Sequence, residues 1–145
     1  HIALFKWASL VAPEKKWDHK ADINEKFGMW CFDPVTKFEF YGDIWSNVHY
    51  GYIGLSIGFS EAILKMGAGV AQLVRSGVPE TFGKECKESA GAWACLPAFD
   101  NPNDQASIQI GFDLWNTYGR RLVAANVCDI VRSRRAMLTA RRKSS

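Results

Sequence analysis

Side chains suited to chemistry are concentrated between Asp43 and Gly54. This segment of twelve residues holds one acid, one amide, one imidazole, three aromatic rings and two glycines. Carboxylate, amide and imidazole groups hydrogen-bond to a ligand or move protons, and Trp and Tyr rings stack on sugars or bases. The mixture is typical of a binding or catalytic site. A β-hairpin with a solvated aromatic cluster explains it equally well, so other segments have to decide.

Three acids are candidates for the paired carboxylates of a glycoside hydrolase, in which one protonates the leaving oxygen and the other attacks the sugar or activates water. Asp43 comes first, because it follows a glycine at the end of a predicted strand. Asp18 is its preferred partner, since it lies beside Trp17 in a different segment. Glu39 is the second choice: along an extended strand it is roughly 13 Å from Asp43, so that pair requires a bend. Each acid is alternatively a surface residue or a helix cap.

Metal and cofactor chemistry are not expected from the sequence. The three histidines, one of them at the first position, do not suffice for a multi-histidine metal site. No P-loop, Rossmann glycine pattern, His-Glu-x-x-His or EF-hand loop is present. We therefore predict no metal and no cofactor. His49 is available as a general acid or base for a different reaction, RNA cleavage.

The four cysteines favour an exported protein. Their number is even, their spacing is wide and no Cys-x-x-Cys pair occurs, which fits two disulfides and argues against a zinc ribbon. Of the three possible pairings we predict Cys86–Cys95, which closes a short loop, together with Cys31–Cys128. Four free thiols in a cytosolic protein are the alternative. The chain begins at His1 without a signal peptide, so we expect a processed, secreted protein or a piece of a longer one.

The elements that must position these residues indicate an α+β fold. We predict a mainly helical single domain over residues 1–145, with one small antiparallel β element that carries the site. A hairpin is predicted around the Asp33-Pro34 turn. Asp100 or Asn101 is expected to cap a helix that ends at Gly119. Further helices are predicted over residues 2–11, 60–75 and 121–140, with an irregular segment over 78–99.

The 60–75 helix has two sequence features of its own. Ser60 is a suitable N-cap. Gly67 and Gly69 lie within the helix, where each glycine costs roughly 1 kcal/mol relative to alanine. We interpret this cost as a sign of close packing against another element.

Composition and charge are those of an ordinary globular domain with a basic end. Of 145 residues, 48% are hydrophobic and 23% charged, and the net charge is +3. No apolar run approaches the ~20 residues that span a bilayer, so we expect no membrane partner. Residues 133–145 form a basic tail, without which the chain is slightly acidic. We interpret the tail as a solvated helix end rather than a phosphate-binding arm, and we expect a monomer.

Four short motifs follow one another between residues 17 and 111. They are Trp17-Asp18-His19-Lys20, Asp43 with Asn47-Val48-His49-Tyr50-Gly51, Gly67-Ala68-Gly69 with Gln72, and Asp100 to Gln105 with Ile108 and Gly111. In this order they resemble the bacterial toxin 44 family, a domain at the C-termini of bacterial polymorphic toxins. Ser46 stands where the family pattern has a glycine, and Asn101 where it has a second Asp. The cysteines and the 78–99 segment resemble secreted fungal relatives, which are similar to fungal muramidases.

The resemblance implies an enzyme that attacks either RNA or the bacterial cell wall. We favour a secreted muramidase acting on peptidoglycan, because aromatic and amide groups beside acids suit sugar rings. An endoribonuclease using His49 is the alternative, and nucleic acid is the less favoured partner because the body of the chain is not basic. A non-catalytic glycan-binding module is a third interpretation. Besides the acids Asp43, Asp18 and Glu39, the residues expected to bind substrate are Trp17, Trp45, Asn47, His49, Tyr50 and Asp104.

Overall fold

The computed structural model describes residues 28–76 and 101–144, together with Asp22, Glu25 and Lys26. This part of the chain is mainly helical and contains a three-stranded antiparallel sheet, which confirms the α+β prediction.

Several predicted features lie outside the described residues. They are the helix over 2–11, the irregular segment over 78–99, the Cys86–Cys95 disulfide, Asp100, and the candidate site residues Trp17 and Asp18.

The segment that carries the candidate chemistry is a helix, α1, over Asp43–Ser56. The prediction that it belongs to the β element is therefore wrong. The buried residues of α1 are Ile44, Val48, Gly51 and Gly54, at the three- and four-residue spacing of one helix face. Two of these four are glycines, so half of the apolar stripe that marks a helix in a sequence is missing.

The helix α2 covers Glu61–Ser76 and begins at the predicted cap. The Ser60 Oγ accepts a hydrogen bond from the Ile63 N–H at 3.3 Å. A cap of this kind satisfies one of the backbone donors that the first turn leaves unpaired. The predicted start of this helix is confirmed.

The helix α3 covers Pro102–Tyr118, and both of its predicted ends are confirmed. Asn101 is the N-cap, and its side-chain oxygen accepts a hydrogen bond from the Asn103 N–H at 2.8 Å. Gly119 follows the last turn with a φ of 53°, in the left-handed region that glycine adopts without strain. In α3, Ile108 and Phe112 are buried and Trp115 is half-buried.

The single helix predicted over residues 121–140 is wrong. The helix α4 covers only Ala124–Ser133, between two 3₁₀ turns at Gly119–Arg121 and Arg135–Met137. Ala140–Arg142 then forms a strand. The basic tail is therefore partly built into the fold instead of ending a solvated helix.

The sheet consists of β1 at Trp30–Asp33, β2 at Phe38–Tyr41 and β3 at Ala140–Arg142, in the order β1-β2-β3. The predicted hairpin between β1 and β2 is confirmed. The Asp33 carboxylate accepts hydrogen bonds from the Val35 and Thr36 backbone N–H groups at 3.2 and 3.3 Å, as expected of an Asp-Pro turn. The last strand pairs with β2, not with its own neighbours in sequence.

The two long helices α1 and α3 pack at their glycines. A Cβ placed on Gly51 would overlap the Ile108 carbonyl oxygen, and one on Gly111 would overlap the Val48 carbonyl oxygen. The two backbones are therefore in direct contact. On either side lie two apolar clusters, one around Phe40, Ile44, Val48, Ile110, Leu114, Val131 and Leu138, the other around Leu64, Ile108 and Phe112.

The two described cysteines, Cys31 in β1 and Cys128 in α4, are free thiols. The predicted bridge between them is wrong. An ion pair joins the two elements instead: Arg132 lies one turn after Cys128 and binds Asp33, which is two residues after Cys31.

No helix within residues 28–76 and 101–144 is both long and apolar enough to cross a membrane.

Candidate functional site

The amino-terminal ends of α1 and α3 are joined by a hydrogen bond between two candidate site residues. Asn47 donates from its side-chain amide to the Asp104 carboxylate at 2.9 Å, and the pair is partly buried. The two residues are 57 positions apart in sequence. Asn47 and Asp104, both expected to bind substrate, therefore lie side by side.

The two helices run in nearly the same direction at this point. Asn47 contacts Asp104, and one turn further along, Gly51 contacts Ile108 and Gly111. Both amino termini therefore lie on the same side of the domain. The unpaired N–H groups there give each helix a partial positive charge that stabilises nearby carboxylates.

Asp43 adds a second carboxylate to this place. It is the acid in the first turn of α1, as Asp104 is in the first turn of α3. Asp43 and Asn47 are four residues apart, so they share a helix face with roughly 5–6 Å between their Cβ atoms. Asp43, Asn47 and Asp104 thus form an acid–amide–acid cluster at paired helix ends, which we call the helix-end cluster.

Two other candidate residues of α1 face away from this cluster. At about 100° per residue, Trp45 and His49 lie nearly opposite Asn47 on the helix. They share that side with Tyr52, and both Trp45 and Tyr52 pack against the apolar cluster around Phe40 and Leu114. The structure therefore does not bring His49 and Trp45 together with Asn47 and Asp104.

Tyr50 is on the Asn47 side of α1 and ties this helix to α2. Its hydroxyl donates a hydrogen bond to the Leu64 carbonyl oxygen at 2.8 Å. A Cβ on Gly67 would lie 2.9 Å from that hydroxyl oxygen. Gly67 thus makes room for the tyrosine, as the interpretation of close packing predicted.

Glu39 lies in the middle of the sheet, where its carboxylate accepts a hydrogen bond from Arg141 Nε at 2.8 Å. Its side chain is 17% exposed. This carboxylate is used in an ion pair between β2 and β3, and the structure offers no contact between it and the helix-end cluster.

Among the described residues, Asp33 is an acid with a strongly shifted pKa, and sequence reasoning did not select it. Asp33 binds Arg132 through two hydrogen bonds, at 3.0 Å to Nε and 2.9 Å to Nη2. The guanidinium holds the pKa of Asp33 well below its usual range; burial opposes this, and the Thr36 hydroxyl at 2.7 Å lowers it further. The same pair raises the pKa of Arg132. The sequence signal was the Asp-Pro turn, which does not reveal the partner 99 residues away.

Groups of three or more His, Cys, Asp or Glu side chains arranged to hold a metal ion are absent from the described residues.

The chain matches no curated protein and no solved structure. The profile of the bacterial toxin 44 family matches residues 6–117, which include α1, α2 and all but the last residue of α3. With 112 of 145 residues matched, the chain belongs to the bacterial toxin 44 family.

Proposed function

We propose that this domain is a secreted muramidase, a glycoside hydrolase that cleaves the β-1,4 bond between the sugars of bacterial peptidoglycan. Membership of a toxin family agrees with an antibacterial role. The observation that carries the proposal is the hydrogen bond between Asn47 and Asp104 at 2.9 Å. It holds an amide against the Asp104 carboxylate at a partly buried place, with Asp43 one turn earlier on the same helix face. This arrangement suits the hydroxyl and acetamido groups of a sugar.

In this proposal Asp43 is the carboxylate that attacks the anomeric carbon or activates water. Its place in the first turn of α1 supports that role, since the helix end stabilises negative charge. Asp104 orients Asn47, whose amide oxygen is then turned to accept a hydrogen bond from the substrate. The proton donor that glycoside hydrolysis also requires is assigned to Asp18.

Glu39 is ranked last among the candidate acids. Its carboxylate neutralises Arg141 in the sheet. Replacing Glu39 with glutamine is therefore not expected to affect the helix-end cluster. Trp45, His49 and Tyr50 are assigned to packing around α1 instead of substrate contact.

An endoribonuclease is disfavoured on geometric grounds. RNA cleavage through His49 requires this imidazole to act together with the acidic and amide groups of the site. His49 lies nearly opposite Asn47 on α1, at about 100° of rotation per residue.

The test compares the parent domain with Asp43→Asn, Asp104→Asn and Glu39→Gln, with Asp129→Asn as the matched control on an exposed position of α4 (77% exposed). Clearing of a Gram-positive cell-wall suspension and release of reducing sugar ends are measured beside digestion of bulk RNA. We expect Asp43→Asn to lose about 100-fold or more in wall hydrolysis, Asp104→Asn to lose less, and the other two to keep parent activity. Digestion of RNA without wall clearing would refute the proposal.

A further inference from the structure

The sheet has an outer face that carries both aromatic and cationic side chains. Pairing places Trp30 opposite Tyr41, Phe32 opposite Glu39, and Glu39 opposite Arg141. Directly paired residues share a face, and the neighbouring residues Phe40 and Ala140 on the other face pack into the core. The outer sheet face therefore comprises Trp30, Phe32, Glu39, Tyr41, Arg141 and Lys143.

Cations on this face lie over the aromatic rings. The Arg141 guanidinium carbon is 4.0 Å from the centroid of Trp30, and Lys143 Nζ is 4.6 Å from that of Phe32. The Arg141 side chain is 54% exposed and Phe32 is 43% exposed. Cation–π contacts favour these positions of the two cations. Arg141 is also paired with Glu39, so Arg141, Lys143 and Glu39 together give the face one net positive charge.

We propose that the outer sheet face binds a phosphodiester-linked polyanion of the bacterial cell wall, a polyol phosphate polymer, and so anchors the domain beside its substrate. The choice of a cell-wall polymer as the ligand rests on the proposed function. The positive charge of the surface is observed independently of that function. The surface shares no residue with the helix-end cluster, and its strand β3 lies beyond residues 6–117 that the family profile matches.

Charge complementarity supports a polyanion. Arg141, Arg142 and Lys143 are consecutive and all exposed. Strand alternation puts Arg142 on the opposite face of this edge strand, where it lies over Phe38. Arg141 and Lys143, two residues apart on a strand, have an axial separation of roughly 6.8 Å, which allows each to meet a different phosphate of one extended chain. Among the described residues of this face, Glu39 is the acid, and Arg141 already neutralises it.

The occupied rings favour a polymer without bases. Proteins that bind single-stranded nucleic acid use aromatic faces as stacking platforms for the bases. Here Arg141 covers Trp30, and Lys143 covers Phe32. The rings thus serve to position cations, which suits a chain of phosphates and polyols.

The experiment measures binding to a purified, soluble glycerol phosphate polymer over a series of salt concentrations. Poly-U and vesicles of phosphatidylglycerol in phosphatidylcholine are the comparison ligands. The variant is Arg141→Gln/Lys143→Gln. Its matched control is Arg120→Gln/Arg121→Gln, which removes the same charge from exposed positions in the turn after α3, outside the sheet.

We expect the sheet variant to bind the polymer at least tenfold more weakly. The fall of log affinity with log salt should also be less steep, by roughly 1–2 units. The control should stay within twofold of the parent. A parent that does not bind, a sheet variant that binds like its control, or tighter binding to poly-U or to the vesicles would overturn the proposal. A sheet variant that aggregates but keeps its affinity for the polymer would also overturn the proposal. In that case the cations would only protect the edge strand β3 from pairing with another chain.

The binding measurement does not require hydrolysis. If the domain binds the polymer and cleaves no peptidoglycan, the proposed function fails while this inference stands. If the domain clears cell walls and does not bind the polymer, this inference fails while the proposed function stands.

Discussion

Gly51 and Gly111 lie against each other where α1 crosses α3, and neither position has room for a Cβ. The Cβ of an alanine at 111 would overlap the Val48 carbonyl oxygen and lie 2.7 Å from the Tyr52 backbone nitrogen. Both obstacles are backbone atoms, which cannot move aside as a side chain can. The crossing sets the distance between the helices whose ends carry Asn47 and Asp104.

Gly111→Ala is therefore expected to destabilise the domain by about 1–3 kcal/mol, the usual cost of overpacking a core, although alanine is the better helix former. The free energy of unfolding in urea measures this. Gly67→Ala is the matched control, because its Cβ would meet the end of the Tyr50 side chain at 2.9 Å, and this side chain can shift. The control should change stability by less than about 1 kcal/mol. Equal effects of the two substitutions would contradict the account of the crossing.

Exchanging the partners of the Asn47–Asp104 hydrogen bond separates structure from chemistry. Asn47→Asp alone places two carboxylates against each other and should cost about 1–2 kcal/mol. The double variant Asn47→Asp/Asp104→Asn restores an amide–carboxylate bond, so its unfolding free energy should return to near that of the parent. Its wall hydrolysis should remain low, because the carboxylate and the amide have changed helices. Recovery of activity together with stability would show that the pair is only structural.

Local features of the fold were predictable from sequence because their causes lie within a few residues. The Asp33-Pro34 turn, the Ser60 and Asn101 caps and the Gly119 helix end each depend on a side chain and the adjoining backbone. The amphipathic helix from 60 to 75 gave a clear apolar pattern.

The parts that depend on distant partners were not predictable. The inner face of α1 uses Gly51 to approach Gly111, and a glycine leaves no apolar signal in the sequence. The strand at Ala140–Arg142 has neither β-branched nor aromatic residues; it is a strand because it pairs with β2, in which Glu39 is 102 positions from Arg141. For the candidate site, the residue types were visible, but which of them share a side of α1 required knowing that it is a helix.

The Asp33–Arg132 ion pair predicts a specific pH dependence of stability. Arg132 lowers the pKa of Asp33 in the folded protein, so the pair contributes fully above the ordinary carboxyl pKa of about 3.9. The contribution is lost as the pH falls below that value towards the lower folded pKa. The stability difference between the parent and Asp33→Asn should therefore be constant from about pH 7 to pH 5 and shrink below about pH 4.

Urea unfolding of both proteins across this pH range measures the difference. Asp129→Asn is the control, since Asp129 is 77% exposed and 3.9 Å from Arg132 Nη1; it should show little difference at any pH. A difference in unfolding free energy between the parent and Asp33→Asn that widens on acidification would contradict a lowered pKa of Asp33.

Ser46 offers a stabilising substitution. Within the described part of the chain, its Oγ is a buried side-chain atom without a hydrogen-bond partner. Such an atom has lost its hydrogen bonds to water and gained none in the protein, which costs free energy. Ser46→Ala removes the orphaned hydroxyl and adds helix propensity to α1, so the unfolding free energy should rise by about 1 kcal/mol. Ser107→Ala is the matched control on α3: Ser107 is 1% exposed, and its hydroxyl donates to the Asn103 carbonyl at 2.9 Å. That variant should be no more stable than the parent. If thermal and urea unfolding rank the two variants in the opposite order, the Ser46 hydroxyl has a partner in solution that compensates its burial.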